Sequence, residues 1–399
     1  MKKLLLFSLL IMLLGCNSDD ANMPEMTEEK LTARLAELAE RAEADLAKVP
    51  IDSTRIPRAL YQDGSLKYST SRDWTSGFYA GTLWQLYRFS KKETLYEAAK
   101  QWTAFQEKEK YDTHTHDLGF KIYCSFGEGY AAEQQNAYKN IIVKASETLI
   151  KRYNPTVGAI RSWDWNEEVW QFPVIVDNMM NLEMLFAATE LTGDSTFYNV
   201  AYQHAMTTLE HHFRPDYSSY HVIDYDTLTG AVRNRHTHQG VANESAWARG
   251  QAWGLYGFTV AYRETKDTLF LNQAKAIADF FFHHPNLPAD KIPYWDFDAE
   301  NIPNELRDAS AATVAASALL ELSQYDEEHQ AKYIRWADEI LTTLATSEYQ
   351  ASVSPFLLQH SVGSIPCDFE VDVPIVYADY YYVEALLRRL AIEQNRVKS

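Results

Sequence analysis

Apolar residues recur at helical spacing along almost the whole chain. The spacing predicts twelve helices, near residues 27–49, 74–89, 93–107, 117–133, 135–153, 176–192, 195–213, 244–264, 268–284, 308–325, 327–346 and 374–395. Some of these segments, such as 135–153, are amphipathic with a charged face, whereas others, such as 176–192, carry few charges. Helices with few charges are expected to be buried on most sides, which indicates an inner and an outer layer.

The two kinds of helix alternate along the chain. The segments with few charges begin near residues 74, 117, 176, 244, 308 and 374, and each interval is long enough for one helical hairpin and a loop. This pattern predicts an all-α fold, an (α/α)6 toroid of six hairpins with an inner and an outer ring. An open α-solenoid has the same periodicity. Because no low-complexity tract divides the chain after about residue 25, we expect a single catalytic domain over residues 27–399.

The first residues have the pattern of an export signal. Two lysines precede an apolar stretch at residues 4–14, which is too short to span a membrane as a mature helix, and Cys16 follows directly after Gly15. The pattern resembles a bacterial lipoprotein signal, with residues 1–15 removed, Cys16 lipidated and residues 16–26 serving as a tether. It predicts a lipid-anchored protein of the cell envelope, in the periplasm or at the outer-membrane surface. An ordinary secretory signal with a coincidental cysteine is the alternative.

Composition and charge exclude several classes of protein. The 399 residues are 46% hydrophobic and 23% charged, too apolar a composition for a disordered chain. The formal net charge is −18 and no run of basic residues offsets it, so a nucleic acid partner is not expected. Membrane contact is expected only through the N-terminal lipid.

The cysteines and histidines give little indication of a metal site. The three cysteines cannot form a disulfide framework, and no CxxC or HExxH spacing is present. Cys124 and Cys367 could be two free thiols or one bridge. The histidines in segments 112–116 and 236–238 have spacings that could bind a metal, but both segments lie in predicted loops. We expect neither a metal nor an organic cofactor.

Polar residues collect where the inner helices begin. These starts are Asp73-Trp74, His116-Asp117, Asp177-Asn178, the run from Glu244 to Trp253, Arg307-Asp308 and Asp372. An aspartate at a helix start commonly caps free backbone amides, and that interpretation suffices for Asp308 and Asp372. Asp177 differs because Val174, Ile175 and Val176 precede it and Met179 and Met180 follow it.

The apolar surroundings of Asp177 point to acid–base chemistry. Desolvation raises the pKa of a carboxyl group, and a second carboxylate, Asp117, brought near by the ring would raise it further. The pair would then share one proton, as a general acid/base working near neutral pH requires.

Five motifs in this order resemble those of glycoside hydrolase family 88, the unsaturated glucuronyl hydrolases. They are Asp73-Trp74-Thr75-Ser76-Gly77-Phe78, His116-Asp117-Leu118-Gly119-Phe120, Asp177-Asn178-Met179-Met180-Asn181-Leu182, Ser219-Tyr220-His221-Val222 and the run from Gln239 to Trp253. The resemblance covers the chain from about Thr27 to its end. It implies an (α/α)6 enzyme that removes a 4,5-unsaturated uronic acid from the non-reducing end of polysaccharide-lyase products, by hydrating the C4=C5 bond.

The resemblance also implies roles for individual residues. Asp177 would protonate C4 and take a proton from the water that adds at C5, while Asp117 would keep Asp177 protonated and contact the sugar. The unsaturated ring would be surrounded by His221, Gln239, Arg249 and Trp253 and stacked on Trp74. Without the resemblance, Arg249 or Trp253 could equally be part of an ion pair or a packed plug.

The parent polysaccharide is left open by the sequence. The resemblance implies that the segment 361–369 occupies the place where some chondroitin-processing members of the family carry a Ser-x-x-Ser-x-Lys sulfate-binding pattern. Here Ser364 is kept, but Cys367 and Phe369 replace the later serine and the lysine. Sulfated glycosaminoglycan, unsulfated hyaluronan-like and algal uronate products are all compatible.

Three other functions are compatible with parts of the pattern. The related family 105 applies the same chemistry to rhamnogalacturonan-type products. An ordinary inverting glycosidase on the same toroid would act on saturated glycosides. A non-catalytic glycan-binding surface lipoprotein would use the 53 aromatic residues as platforms but would not need Asp117 and Asp177 at inner helix starts.

Overall fold

A computed structural model of the protein describes residues 26–398. The predicted signal at 1–15, Cys16 and all but the last residue of the predicted tether lie outside the described residues. The described part of the chain forms twelve α-helices: α1 Glu28–Leu46, α2 Phe78–Ser90, α3 Glu93–Ala104, α4 Glu128–Glu133, α5 Asn136–Leu149, α6 Leu182–Thr192, α7 Ser195–His211, α8 Ala248–Thr265, α9 Thr268–His283, α10 Ala309–Leu322, α11 Gln330–Leu344 and α12 Val376–Lys398. All twelve predicted helices are confirmed.

The even-numbered helices form the inner ring and the odd-numbered helices the outer ring. Every residue of α10 is buried, whereas the outer helix α11 buries about half of its residues. The ring closes because α12 packs against both α10 and α2, and α1 packs outside α12 and α2. The Tyr380 hydroxyl donates to Glu128 at 3.0 Å across this closure. The toroid is therefore closed, and the open solenoid is excluded.

Three inner helices are preceded by turns that are wound more tightly or more widely than an α-helix. A 3₁₀ turn at Trp74–Gly77 leads into α2, a π-helix at Gly119–Gly127 leads into α4, and a 3₁₀ turn at Val176–Asn181 leads into α6. These turns pack closely: a Cβ on Gly77 would lie 2.2 Å from the Phe120 carbonyl oxygen, and one on Gly119 would lie 2.6 Å from the Asn181 Cα. Glycine is required at both positions because the backbones approach so closely.

Short strands, which the sequence did not predict, lie between the helices in the chain. They form an antiparallel pair β1 Ile56–Leu60 and β2 Leu66–Ser69, a second pair β3 Tyr153–Asn154 and β4 Ala159–Ile160, and an antiparallel sheet of β5 Pro173–Ile175, β6 Val222–Tyr225 and β7 Val232–His236. The predicted helix 135–153 therefore ends at Leu149, followed by one 3₁₀ turn before β3. Strand β5 runs directly into the turn that carries Asp177 and fixes its direction.

No helix among residues 26–398 is both long and apolar enough to cross a membrane.

Candidate active site

A cavity of about 440 Å³ opens where the inner helices begin. Its volume is within the range of about 300–1,000 Å³ that is usual for small-molecule sites. Five of the predicted site residues line it: Trp74, Asp117, Asp177, Gln239 and Arg249. The toroid therefore brings together side chains that lie up to 175 positions apart in the sequence. We call this space the active-site cavity.

Asp177 is a buried acid at this cavity. Burial raises its pKa from the ordinary 3.8 to about 6, against the opposing charges of His116 and Arg249. The charge of Asp117 raises the pKa as well, but it contributes least among these causes. Both causes act in the expected direction, and loss of water dominates. Asp177 is thus poised to hold or release a proton near neutral pH.

The pKa of Asp117 is shifted in the opposite direction. Burial alone would raise its pKa, but His116 and Thr115 outweigh burial and hold the pKa below the ordinary value. The His116 Nε2 atom lies 3.1 Å from Asp117 Oδ1, and the Thr115 hydroxyl donates to Oδ2 at 2.6 Å. The two carboxyl groups therefore differ in charge state, one being readily protonated and the other ionised, as an acid and a charged partner require.

His221 points a defined nitrogen at Asp177. The backbone N–H groups of His238 and Gln239 both donate to His221 Nδ1, at 3.0 and 3.2 Å. Burial lowers the pKa of His221 well below its usual range, so the ring is neutral. Because Nδ1 accepts, the single ring proton is on Nε2, which lies 3.6 Å from Asp177 Oδ2. His221 itself is not part of the cavity lining.

Arg249 is a fully buried cation with internal partners. It forms an ion pair of 2.9 Å with Asp308, and its guanidinium also donates to the backbone carbonyls of Val362 and Gly363. Asp308 in turn accepts from the Ser310 amide at the start of α10, which confirms the capping interpretation. Arg249 reaches the cavity as a positioned positive charge with part of its donors already engaged. Asp372 pairs with His360 at 2.7 Å, 4 residues before α12, and does not cap that helix.

Trp74 and Gln239 both form part of the cavity wall. The Trp74 ring packs on Phe120 and Tyr377, with ring centroids 5.3 and 5.0 Å apart, and keeps an apolar face towards the cavity. The Gln239 amide donates to the Gly363 carbonyl at 3.1 Å. This bond joins Gln239 to the loop that carries Ser364.

Trp253 was expected to surround the unsaturated ring, and the structure contradicts this. It is completely buried, does not line the cavity and packs on Phe120 at a centroid distance of 5.4 Å. Trp253 lies on α8 one turn after Arg249, and the ring turns into the core rather than towards the opening. It can support the cavity wall through Phe120, but it cannot touch a sugar in this arrangement.

The cavity also contains aromatic residues that the sequence reasoning missed. Trp163 and Trp165 stack on each other with centroids 4.9 Å apart, and both line the cavity together with His238. Trp165 is 47% exposed, an unusual exposure for an indole. The pair of tryptophans in a loop shortly before Asp177 was the signal that could have indicated this wall.

The segment 361–369 lies at the cavity. Ser364, Cys367 and Phe369 all belong to its lining. The Nζ atom of Lys67 lies 3.3 Å from the centre of the Phe369 ring and 3.2 Å from Glu370, so this cation is covered by the ring and paired. Cys367 is exposed and Cys124 is buried, and both are free thiols.

The histidine segments have partners other than a metal. His116 pairs with Asp117, and His238 packs on the two tryptophans. Within residues 26–398, the one group with the spacing of metal ligands is Asp326, Glu328 and His329, which lies between α10 and α11.

Comparison with known proteins agrees with this geometry. The family model of Glycosyl Hydrolase Family 88 matches residues 53–268. An unsaturated glucuronyl hydrolase of Formosa agariphila is 47% identical over 349 residues, 86% of this chain and 87% of that protein. An unsaturated chondroitin disaccharide hydrolase of Streptococcus pneumoniae is 29% identical, over 92% of this chain and 93% of that protein.

A solved structure is also similar along nearly its whole length. It is described as an unsaturated glucuronyl hydrolase specific for heparin, and it superimposes with a TM-score of 0.88 at 46% identity, covering 92% of this chain and 98% of that one. The sequence motifs, the closed toroid and these relatives agree that the chain is a glycosidase. The chain belongs to glycoside hydrolase family 88, the unsaturated glucuronyl hydrolases.

Proposed function

We propose that Asp177 is the general acid and base with which this enzyme removes the unsaturated uronic acid from lyase products. The observation that carries the proposal is a buried carboxyl group at the wall of the cavity, with its pKa raised to about 6. A protonated carboxyl is needed to add a proton to carbon, and the ionised form is needed to accept one from water. A pKa near the working pH allows one residue to do both.

The reaction balances with one water and no other reactant. The Asp177 proton adds to C4, the water oxygen bonds to C5, and the second water proton returns to Asp177. The product is a C5 hemiketal, whose ring opens as C5 becomes a ketone and the ring oxygen takes a proton. C1 is then a hemiacetal that releases the remaining sugar as an alcohol and becomes an aldehyde.

The other residues would position the sugar and balance its charge. Asp117 stays ionised beside His116 and would face the hydroxyl groups of the unsaturated ring. Arg249 supplies a buried positive charge towards the substrate carboxylate, and Trp74 offers a flat apolar face to sugar C–H groups. His221 would act by keeping the Asp177 carboxyl oriented through its Nε2 proton.

We place the substrate among glycosaminoglycan-type products. The support is the 46% identity to a structure described as specific for heparin. The loop at 361–369 bears only on sulfate. In that loop Phe369 covers the nearby cation Lys67, so no uncovered lysine replaces the one in the chondroitin-type pattern. This loop would therefore not select a sulfate group by charge.

The expected location is the cell envelope, with the enzyme anchored by a lipid on Cys16. The support is the sequence pattern around residues 4–16. Expression with a radiolabelled fatty acid should label the full-length protein and leave a Cys16→Ala variant unlabelled. Equal labelling of both proteins would contradict the anchor.

The activity test uses the ultraviolet absorbance of the conjugated enoate. The purified protein should abolish that absorbance in unsaturated glucuronyl disaccharides, in a panel that differs in sulfate position and includes a rhamnogalacturonan-type disaccharide. Turnover of the last compound alone would indicate the family 105 specificity. Cleavage of saturated glycosides with an unchanged absorbance would indicate an inverting glycosidase, and calorimetric binding without product would indicate a glycan-binding protein.

A further inference from the structure

A second depression in the surface continues from the active-site cavity. It encloses about 690 Å³ and is lined by Arg72, Lys108, Glu109, Tyr111, Asp112, His114 and Thr115. We call it the Tyr111 groove. Thr115 and His114 belong to the walls of both spaces, so the groove and the cavity adjoin each other at these residues.

The charges of the groove differ from those of the whole protein. The chain carries a net charge of −18, yet the groove exposes Arg72 and Lys108, and neither forms an ion pair within residues 26–398. The two acids of the groove, Glu109 and Asp112, are both paired with the buried Lys121, at 3.4 and 2.8 Å. Because these two acids share one ammonium group, the three cations Arg72, Lys108 and Lys121 exceed the two carboxylates by one charge, and the groove has a net positive charge next to the active site.

An aromatic ring lies at the centre of this positive surface. Tyr111 is 60% exposed, and Lys110 and Lys144, which are paired with Glu107 and Glu147, lie 5.3 and 5.8 Å from its ring centre. An exposed ring flanked by cations suits a sugar that presents an apolar C–H face and carries anionic groups at its edge. A neutral glycan would gain nothing from the cations.

The groove is also connected to the catalytic residues through the chain. Arg72 lies two residues before Trp74, which lines the cavity, and Thr115 donates its hydroxyl to Asp117 at 2.6 Å. A substrate whose unsaturated end occupies the cavity can therefore pass over Thr115 and His114 into the groove without leaving the surface.

We propose that the Tyr111 groove binds the reducing-end part of longer anionic oligosaccharides, beyond the first two sugars. The inference rests on the proposed function, since it assumes that the unsaturated end enters the active-site cavity. The enzyme is then selective for chain length and charge as well as for the unsaturated ring.

The test compares an unsaturated disaccharide with the tetrasaccharide of the same lyase digest and sulfation. In the wild type, kcat/KM for the tetrasaccharide should exceed that for the disaccharide, and added salt should reduce the excess. In an Arg72→Gln/Lys108→Gln double variant the tetrasaccharide value should fall about fivefold, the order expected for two exposed ion pairs. The disaccharide value should not change.

The matched control is Lys151→Gln/Lys266→Gln, which removes the same charge from two exposed residues outside the groove and should leave both values unchanged. Equal tetrasaccharide activity in the wild type and the groove variant would overturn the proposal. An equal loss on both substrates, or the same loss in the control variant, would also overturn it. If the wild type consumes neither substrate, the proposed function itself fails, which is a distinguishable result.

Discussion

Two regions of the inner ring contain buried ionisable groups, and they differ in how completely these groups are paired. At the active-site cavity, Asp177 Oδ2 and His221 Nε2 are buried and have no hydrogen-bond partner among the residues described. Farther along the same helices, an ion network pairs almost every charge. Its members are Glu183, Arg263, Glu264, Glu321, Glu384 and Arg388.

The network shows what burial does when partners are present. Arg263, about four turns after Arg249 on α8, contacts Glu183, Glu264 and Glu321 at 2.5, 2.7 and 3.0 Å. Burial alone would raise the pKa of Glu321, but the two arginines outweigh it and lower the pKa. At Asp177 the charges of His116 and Arg249 offset burial only in part, and the pKa rises to about 6. Asp177 therefore differs from Glu321 in being less completely paired. It differs from Glu384 and Asp379, whose pKa values burial also raises, in lining the cavity.

The largest expected effect is the loss of proton transfer in Asp177→Asn. The amide cannot donate a proton to C4 or accept one from water, so kcat should fall about 10³-fold. The loss of enoate absorbance measures it, and the circular dichroism spectrum should remain that of the wild type. Asp379→Asn is the matched control, because burial also raises the pKa of Asp379, to about 7, but this residue does not line the cavity. Substantial turnover by Asp177→Asn would refute the assigned role.

The raised pKa of Asp177 should affect the pH dependence of both activity and stability. Because the acid form is needed, kcat/KM should fall as pH rises through about 6. The folded state binds the Asp177 proton more tightly than the unfolded state, whose pKa is near 3.8, so stability is full below pH 3.8 and is lost as pH rises through 6. Asp177→Asn should therefore be more stable than the wild type at pH 8, by roughly 3 kcal/mol at most.

Thermal unfolding at pH 8 and pH 4 measures this difference. The advantage of the variant should shrink towards pH 4, where Asp177 is protonated in the wild type. A difference in melting temperature that does not change with pH would contradict the raised pKa.

Breaking the ion network should affect stability and not catalysis. Arg263→Met leaves Glu183 and Glu321 without their shared cation, which should lower the free energy of unfolding by about 2 kcal/mol for this partly exposed site. Denaturant unfolding measures the loss, and kcat of the folded enzyme should be unchanged. Lys151→Gln, at an exposed lysine outside the ion network, is the control and should be neutral. A large loss of kcat in Arg263→Met would show that the two regions are coupled.

The smallest expected effect is that of the His221 proton. In His221→Asn, the side-chain oxygen can still accept from the His238 and Gln239 amides, but the donor facing Asp177 is lost. We expect kcat/KM to fall about tenfold, the equivalent of about 1.4 kcal/mol, and its alkaline limb to move to higher pH. A purely structural role would lower the melting temperature and leave the alkaline limb in place.

Sequence reasoning was most successful where the signal was local. The helical period placed twelve helices, and the apolar neighbours of Asp177 indicated a carboxyl with a raised pKa. The strands were missed because β5, β6 and β7 have three to five residues each and are stabilised by pairing between segments that lie far apart in the chain. Their effect on the site is nonetheless large, since β5 directs Asp177.

The roles of individual residues were harder to predict because they depend on the direction in which each side chain points. Trp253 and Arg249 lie one turn apart on α8, yet Arg249 reaches the cavity and Trp253 turns into the core. Trp163 and Trp165 were overlooked because a loop has no periodicity that would indicate which way its side chains point.

The order of polar and apolar residues was enough to specify the helices, the alternation of the rings and the kind of chemistry at their starts. It indicated that the pKa of Asp177 is raised, but it could not specify that the pKa values of Asp177 and Asp117 are shifted in opposite directions. That property depends on the loss of water and on the distances to His116, Arg249 and Asp117, and these become defined when the ring closes and brings the starts of separate helices around one cavity.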